Sequence, residues 1–486
     1  MPAELLKRIE DIKSKGYQDM YTQHNALYYG DAHEVFQTNR VRAKLDDSQE
    51  YLSYNIFSQI TDTYVNLMLY EKPRITFKNS QTQSYFDDFI NESFFEKIKQ
   101  LLVNAGVSGD AVAHLNIWKN EPEIVVLPNT RWIPLYNPDR PDLEADSHAV
   151  EYKIEIKDQK PIFVYQIFDN ENLNVGYVAF QDEEQVKVPD QFILPEYKTD
   201  DEGMSWYIQT ETPLFFRFYN KKRVGQYFGV SDYSKSIINK SEAINNQIEL
   251  TDYIITKAID PILTVPKNLI KQTIDQINNQ TGFAESLGLE TEKESGFFEN
   301  SSNNNFKGLT LQETMVADRI VRKSKIIPIS VGDEKPEYIT VDLQTEKMAN
   351  FIEMLKTMVY NEAKLSPILF DKDVSFGNLS GVALQRLIQQ TLHNAQNKIT
   401  AFEEVLKEMI YSICVLAAVP AEVPTIEWYD GIIDSKIEKI DENERLLLGG
   451  FITKKEAIKN INGLTDEQAV QELTDIEAEQ GFPNAS

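Results

Sequence analysis

Phe376-Gly377-Asn378-Leu379-Ser380-Gly381 leads into Val382-Ala383-Leu384-Gln385-Arg386-Leu387-Ile388, and from Val382 to Val419 the chain runs 38 residues without glycine or proline before it meets Pro420. The apolar residues Leu384, Leu387, Ile388, Leu392, Ala395, Ile399, Phe402, Val405, Leu406, Met409, Ile410, Ile413 and Leu416 recur mostly at steps of three or four. That period puts them on one helical face. At 1.5 Å of rise per residue the helix would measure roughly 57 Å. Ser380 can accept from the first free N–H groups, Gly381 tolerates unusual backbone angles, and Pro420 cannot continue the ladder. Taken alone, this is a long core helix of an all-α domain. Its glycine-bounded entrance also fits a strut that carries a loop.

Before the loop, Thr345 to Leu365 reads as a helix with Met348, Phe351, Ile352, Leu355, Met358, Val359 and Ala363 on one side. Pro367 disfavours helical geometry at Ser366, so Ser366 to Leu379 is irregular. A helix from about Ser231 to Ala258, with Ser231 as its cap, precedes a small α/β unit. In that unit Pro261–Pro266, Lys325–Val331 and Tyr338–Val341 read as strands, and Asn268–Ile277 and Leu311–Lys325 as helices. The asparagine-rich stretch 278–308 reads as a polar loop. Two helices flanking this unit put it at the far end of a hairpin.

Nearer the N-terminus, helical spacing covers residues 4–29 up to Gly30, then Asn55–Leu69, then Gln81–Ala105, with a short strand within Glu71–Phe77. From Asp110 to about 220 the texture changes to alternating runs separated by turn residues: Ala111–Trp118, Glu123–Leu127, Ala149–Ile156, Pro161–Phe168, Gly176–Phe180 and Tyr207–Thr212. Beyond Pro424, Thr425–Tyr429 reads as a strand, and Asp434–Leu448, Thr453–Ile461 and Thr465–Glu479 as a helical cluster. The fold class is therefore α+β, mainly helical.

Composition narrows the function. The formal net charge of −27 argues against gripping nucleic acid with the whole surface, because neutralising phosphates needs clustered lysine and arginine. It is compatible with an acidic wall past which DNA slides, and equally with acidity that serves only solubility. The longest apolar stretch falls far below the roughly 20 residues of a membrane span, and the N-terminus lacks a signal-peptide core. Cys414 is the single cysteine, which excludes an intrachain disulfide and points to a reducing compartment.

No catalytic motif emerges. There is no phosphate-binding glycine loop, no His-Glu-x-x-His and no Gly-x-Ser-x-Gly, and His24, His33, His114, His148 and His393 lack ligand spacing. No cofactor is expected. Two basic clusters interrupt the acidity, Asn220-Lys221-Lys222-Arg223 and a second containing Arg319, Arg322, Lys323 and Lys325. Either can contact phosphate, serve as a solvated helix end, or pair across a subunit interface.

Five elements in order resemble the portal proteins of tailed double-stranded DNA bacteriophages, of the type found in siphophages of Gram-positive hosts. They are Tyr28-Tyr29-Gly30-Asp31-Ala32-His33; Tyr54-Asn55-Ile56 through Tyr70-Glu71-Lys72-Pro73-Arg74-Ile75; Gly229-Val230-Ser231-Asp232-Tyr233; Gly377-Asn378-Leu379-Ser380-Gly381-Val382-Ala383-Leu384; and Leu448-Gly449-Gly450-Phe451-Ile452-Thr453. The resemblance implies a portal-type ring, dodecameric in the virion, with wing, stem, clip and crown regions around a tunnel. Carried over, the wing is 1–230 with its β-rich part at 110–220, the stem helices are 231–258 and 345–365, and the clip is 259–344. The tunnel loop is 366–379, the long wing helix and return strand 380–429, and the crown 430–486. Asp371, Lys372, Asp373, Val374, Ser375, Phe376, Gly377 and Asn378 would then face DNA, with Ser380 and Gly381 as the hinge into the helix. The implied partners are further copies of the chain, double-stranded DNA, the terminase large subunit, major capsid and scaffolding proteins, and head-completion or tail adaptor proteins. The implied place is the portal vertex of the virion, assembled in the host cytoplasm, with no membrane and no enzymatic turnover. The competing readings are a carboxylate-dependent hydrolase or nuclease and a non-portal helical scaffold.

Overall fold

The computed structural model describes residues 2–36, 52–118, 121–136, 147–156, 160–193, 197–199, 204–221, 228–259, 262–266, 326–329, 337–339, 345–370, 381–428, 436–462 and 469–474, with Ala145 and Ile476. The chain divides into two compact units. One comprises Met1–Phe36, Tyr54–Ser241 and Lys356–Ser486, the other Gln37–Ser53 and Glu242–Leu355. Helix and sheet are both well represented, as the α+β expectation requires.

The larger unit opens with helices α1 (Pro2–Lys13), α2 (Tyr17–Tyr29), α3 (Ala32–Val35) and α4 (Ile56–Met68), strand β1 (Arg74–Thr76), and helices α5 (Ser80–Phe89) and α6 (Glu92–Ser108). The continuous helix expected over 4–29 is two, because Gly16 adopts the left-handed region at φ 72°. The stretch 81–105 is likewise two helices. The Asn91 side chain accepts from Phe94 N–H and starts α6 afresh. Asn55 caps α4 in the same way, through Ser58 N–H.

The β-rich region holds two sheets. Strands β2 (Asp110–Trp118) and β3 (Glu121–Leu127) pair in antiparallel fashion, and β11 (Phe215–Tyr219) adds to the other edge of β2 with Arg217 opposite Val112. The second sheet runs β4 (Trp132–Leu135), β5 (Ser147–Ile154), β6 (Ile162–Asp169), β7 (Asn174–Gln181), β10 (Trp206–Gln209), β9 (Lys198–Thr199), with β8 (Glu184–Val186) also on β7. Trp132, Val150, Phe168 and Phe215 pack with Ile9 and Tyr21 of the first two helices in one buried cluster. Sequence periodicity missed the short strands β8 and β9, and also β4 and β11. Almost every residue in the latter two is buried, so neither alternates.

After α7 (Lys235–Ile259) and α8 (Thr345–Glu362) comes α9 (Gly381–Leu416), the long helix expected from the opening stretch. Ile388, Ala395, Ile399, Phe402, Leu406, Met409, Ile410 and Ile413 are buried as the period demands, whereas Leu387 is 47% exposed. Phe402 packs against Phe218 of β11 with ring centroids 4.5 Å apart and planes tilted by 30°. The helix ends before Pro420: Ala418 takes a left-handed φ of 53° and Val419 N–H bonds to Cys414 O. The chain then returns through β15 (Thr425–Glu427), which pairs antiparallel with β1. Helices α10 (Lys436–Leu448) and α11 (Lys454–Asn462) follow.

In the smaller unit β12 (Ile262–Pro266) pairs parallel with β13 (Ile326–Ile329) and antiparallel with β14 (Glu337–Ile339). Thr251 of α7 donates to Met348 Sδ of α8. The helices expected at 268–277 and 311–325 and the loop at 278–308 lie outside the described residues.

Two details of the expected helices change. Ser231 does not cap α7; Ser234 does, accepting from Ile237 N–H at 3.2 Å. Helix α8 stops at Glu362 rather than Leu365, because Lys364 takes a φ of 61°. Along it Val359 is buried, while Phe351 and Met358 are each 45% exposed.

Candidate functional site

Asp371, Lys372, Asp373, Val374, Ser375, Phe376, Gly377, Asn378 and Ser380 lie outside the described residues, as do Arg319, Arg322, Lys323 and Lys325. Gly381 is the first residue of α9. The described residues on either side show how the chain is fastened up to Phe370 and from Gly381 onward.

On the entry side, α8 closes with Leu365 N–H bonded to Tyr360 O at 2.8 Å. A 3-10 turn, Pro367–Phe370, then stacks the Phe370 ring on Tyr360 at 4.0 Å and 7° between planes. Tyr360 donates its hydroxyl to Gln59 Oε1 at 2.7 Å. On the exit side, α9 presents Thr391, Asn394 and Lys398, all buried, at steps of three and four. The first two of these are aimed at the entry side. Thr391 Oγ1 accepts from Ser366 N–H at 2.8 Å. Asn394 Nδ2 donates to Tyr64 Oη at 2.7 Å, and Tyr64 donates onward to Ala363 O at 2.7 Å. Three bonds therefore fasten the end of α8 to α4 and α9, and a fourth joins α9 to α4.

The third polar residue, Lys398, reaches a second structure. Asp232, in the link before α7, accepts from Lys398 Nζ through Oδ2, and through Oδ1 from Lys221 Nζ and Asn220 Nδ2, each at 3.0 Å. Lys398 Nζ also lies 4.2 Å from the centroid of the Tyr64 ring. Burial pushes the Asp232 carboxyl up, but Lys398 and Lys221 outweigh it and hold it below the usual carboxylate range.

A neighbouring carboxylate, Asp110, is fully buried at the start of β2. It takes Arg217 Nε and Nη2 on Oδ1, both at 3.0 Å, and Gly229 N–H at 2.8 Å and the Tyr21 hydroxyl at 3.2 Å on Oδ2. Burial pushes its carboxyl up, against the pull of Arg217 and the Gly229 N–H. The backbones cross here so closely that a methyl group on Gly109 or on Gly229 would overlap the other residue's carbonyl, and Gly109 also has a φ of +92°. Ser231 donates to Val107 O at 2.6 Å and Asp232 N–H to Gly106 O at 3.0 Å. The element Gly229–Tyr233 is thus a junction, and this explains why Ser231 is not free to cap α7.

The chemistry of these groups is structural. Each carboxylate is saturated by donors, and among the described residues no group of three or more His, Cys, Asp or Glu could hold a metal ion. His24, His114 and His148 are buried, and burial lowers the pKa of each, that of His148 to about 3 with Arg217 adding to the effect. Among the described residues no helix is long and apolar enough to cross a membrane.

Sequence reading found the helix but not Thr391, Asn394 or Lys398. Their signal was available as polar residues at helical spacing beside Ile388, Ala395, Ile399 and Phe402. Lys221, read as part of a basic cluster, proves to be an intrachain partner of Asp232.

A family model described as "Phage portal protein, SPP1 Gp6-like" matches residues 6–481, nearly the whole chain. No curated protein matches it.

Proposed function

The chain belongs to the SPP1 Gp6-like family of phage portal proteins, and from this premise we propose that its copies assemble into the ring at one capsid vertex through which a separate terminase motor packages the genome and through which the genome later leaves. The family is structural rather than enzymatic, and its setting is the virion and DNA packaging. In this reading 1–230 is wing, 231–258 and 345–365 are stem helices, 259–344 is clip and 430–486 crown. The segment 366–379 is the tunnel loop, with Asp371 to Asn378 facing DNA and Ser380 and Gly381 as hinge. Arg319, Arg322, Lys323 and Lys325 are phosphate contacts. The partners are capsid, scaffolding and head-completion or tail adaptor proteins.

The observation that supports the loop assignment is the pair of anchors around 371–380. Ser366, Ala363 and Phe370 are held on one side and α9 starts at Gly381 on the other. A short segment between fixed ends can change shape against a passing ligand without disturbing its supports. The net charge of −27 per chain adds the second element, because a ring of such chains presents phosphates with a repelling wall and few deep wells.

Electron microscopy of the purified protein is expected to show rings with a central hole. A strictly monomeric particle at every concentration, and in procapsids, would sink the assembly reading. Deleting residues within 371–378 leaves every anchor in place, so rings should form while packaged-DNA yield or retention falls. Unchanged yield would remove the loop assignment alone.

A further inference from the structure

Opposite its buried side, α9 exposes Gln389, Gln390, His393, Gln396, Asn397 and Thr400. At 3.6 residues per turn these six share roughly a third of the helix circumference along roughly 17 Å of its axis. Among the described residues, no hydrogen bond, ion pair or ring contact engages the side chains of Gln389, Gln390, His393, Gln396 or Asn397, and Thr400 bonds only to Gln396 O of its own helix, at 3.0 Å. The fold of the single chain does not use this face.

The face carries no carboxylate and no ammonium group. In a chain of which 26% is charged, residues 389–400 hold one such group, Lys398, and it is buried on the other side. Other exposed helix faces of the same unit are charged. Helix α1 exposes Glu4, Lys7, Glu10 and Asp11, α6 exposes Glu92, Glu96 and Lys99, and α9 itself exposes Glu404 and Glu408 farther along. A face that stays in water has no reason to lose its charges. A face that is covered has one, because an unpaired ion removed from water costs far more than an amide that can pair with another amide or a carbonyl. Interface cores are depleted in lysine, glutamate and aspartate for the same reason.

Charge also selects the occupant. A DNA duplex is held by clustered cations, and this face offers only Arg386, at one end, in a chain of net charge −27. A second copy carries the same −27, so its approach is least opposed where the surface adds no charge of its own. Leu387 borders the face and is 47% exposed although its spacing predicts burial, and a covering surface would bury it. We propose that the amide face of α9, residues 389–400, packs against a second copy of the chain in a head-to-tail contact. Such a contact closes into a ring when the rotation between copies allows it. Helix α9 is then fastened within its own chain through Thr391, Asn394 and Lys398 and against its neighbour through the opposite side. This inference rests on the portal reading, in which copies assemble.

The test compares thiol alkylation of Gln396→Cys in full-length assembled protein and in unassembled chains separated from it; the natural Cys414 is buried. The assembled form should react at least tenfold more slowly. Independently, Gln389→Glu with Gln396→Glu should raise the concentration at half assembly at least tenfold with the melting curve of the single chain unchanged, since both positions are exposed there. Equal alkylation rates, or an unchanged half-assembly concentration, overturn the contact. Protection of unassembled Gln396→Cys chains on adding duplex DNA, with none on assembly, overturns it in favour of a DNA-facing surface. Rings seen in micrographs alongside either failure leave the portal reading standing, whereas no assembly of wild type at any concentration overturns both.

Discussion

Removing one oxygen atom, in Tyr64→Phe, tests whether the base of the 371–380 segment is held by hydrogen bonds or merely by packing. Tyr64 is 1% exposed, and its hydroxyl accepts from Asn394 Nδ2 and donates to Ala363 O, both at 2.7 Å. Phenylalanine fills almost the same volume, so the packing term is small. The substitution strands a buried carbonyl and a buried amide N–H, each costing about 1–3 kcal/mol when unsatisfied. A total of about 2–4 kcal/mol is expected, read as a lower urea midpoint with unchanged m value. The loss should be coupled to Asn394. Once Asn394→Leu has removed the amide, Tyr64→Phe should cost less, with an interaction energy of at least about 0.5 kcal/mol in the double-mutant cycle. Amide exchange at Ser366 should accelerate with Tyr64→Phe, since Ala363 and Ser366 leave the same turn. A cost below about 0.5 kcal/mol, or strict additivity with Asn394→Leu, would refute the view that this pair anchors α8 to α9.

Two further perturbations address the junction and the buried rings. Gly229→Ala places a methyl group against the Gly109 carbonyl where neither backbone has room, so a loss of at least about 3 kcal/mol or failure to fold is expected, and a soluble variant with a wild-type melting curve would contradict the crossing. Because His148 has a folded pKa lowered to about 3, the unfolded chain takes up its proton first. Stability contributed by neutral His148 is complete above about 6.5 and is lost as pH falls toward 3, on the order of 1 kcal/mol per pH unit. His148→Gln keeps an acceptor near Trp132 Nε1, which donates to His148 Nδ1 at 3.3 Å, and should show a shallower acid limb in urea midpoints; an unchanged slope would show that His148 does not drive it.

The helices and most strands were legible because their determinants are local. Apolar residues at helical spacing make α9 visible from its own residues, and alternation does the same for β5, β6 and β7. The failures have local causes too, read against a longer background. Gly16 and Asn91 break helices whose apolar period continues across the break, so the period alone could not separate α1 from α2 or α5 from α6. Around Ser231-Asp232-Tyr233-Ser234 the sequence offers several residues able to cap α7, and the choice is made by Val107 O, more than a hundred residues away, which takes the Ser231 hydroxyl. Capping propensity cannot report a competitor that distant.

The polar row on α9 escaped for a different reason. Periodicity methods score a face by its hydrophobic residues and treat a threonine, an asparagine or a lysine within it as noise. Yet a buried polar side chain is costly unless it is paired, so each such position implies a partner elsewhere in the chain. Thr391 implies a backbone group, and finds Ser366; Asn394 implies an acceptor, and finds Tyr64; Lys398 implies a carboxylate, and finds Asp232. What the sequence could not supply was the identity of these partners, because α4, the link before α7 and the end of α8 converge only in three dimensions. The apolar face of the long helix accounts for its existence. Of its three polar exceptions, Thr391 and Asn394 account for how the end of α8 is fastened to α9, and Lys398 for how α9 is tied to the link before α7.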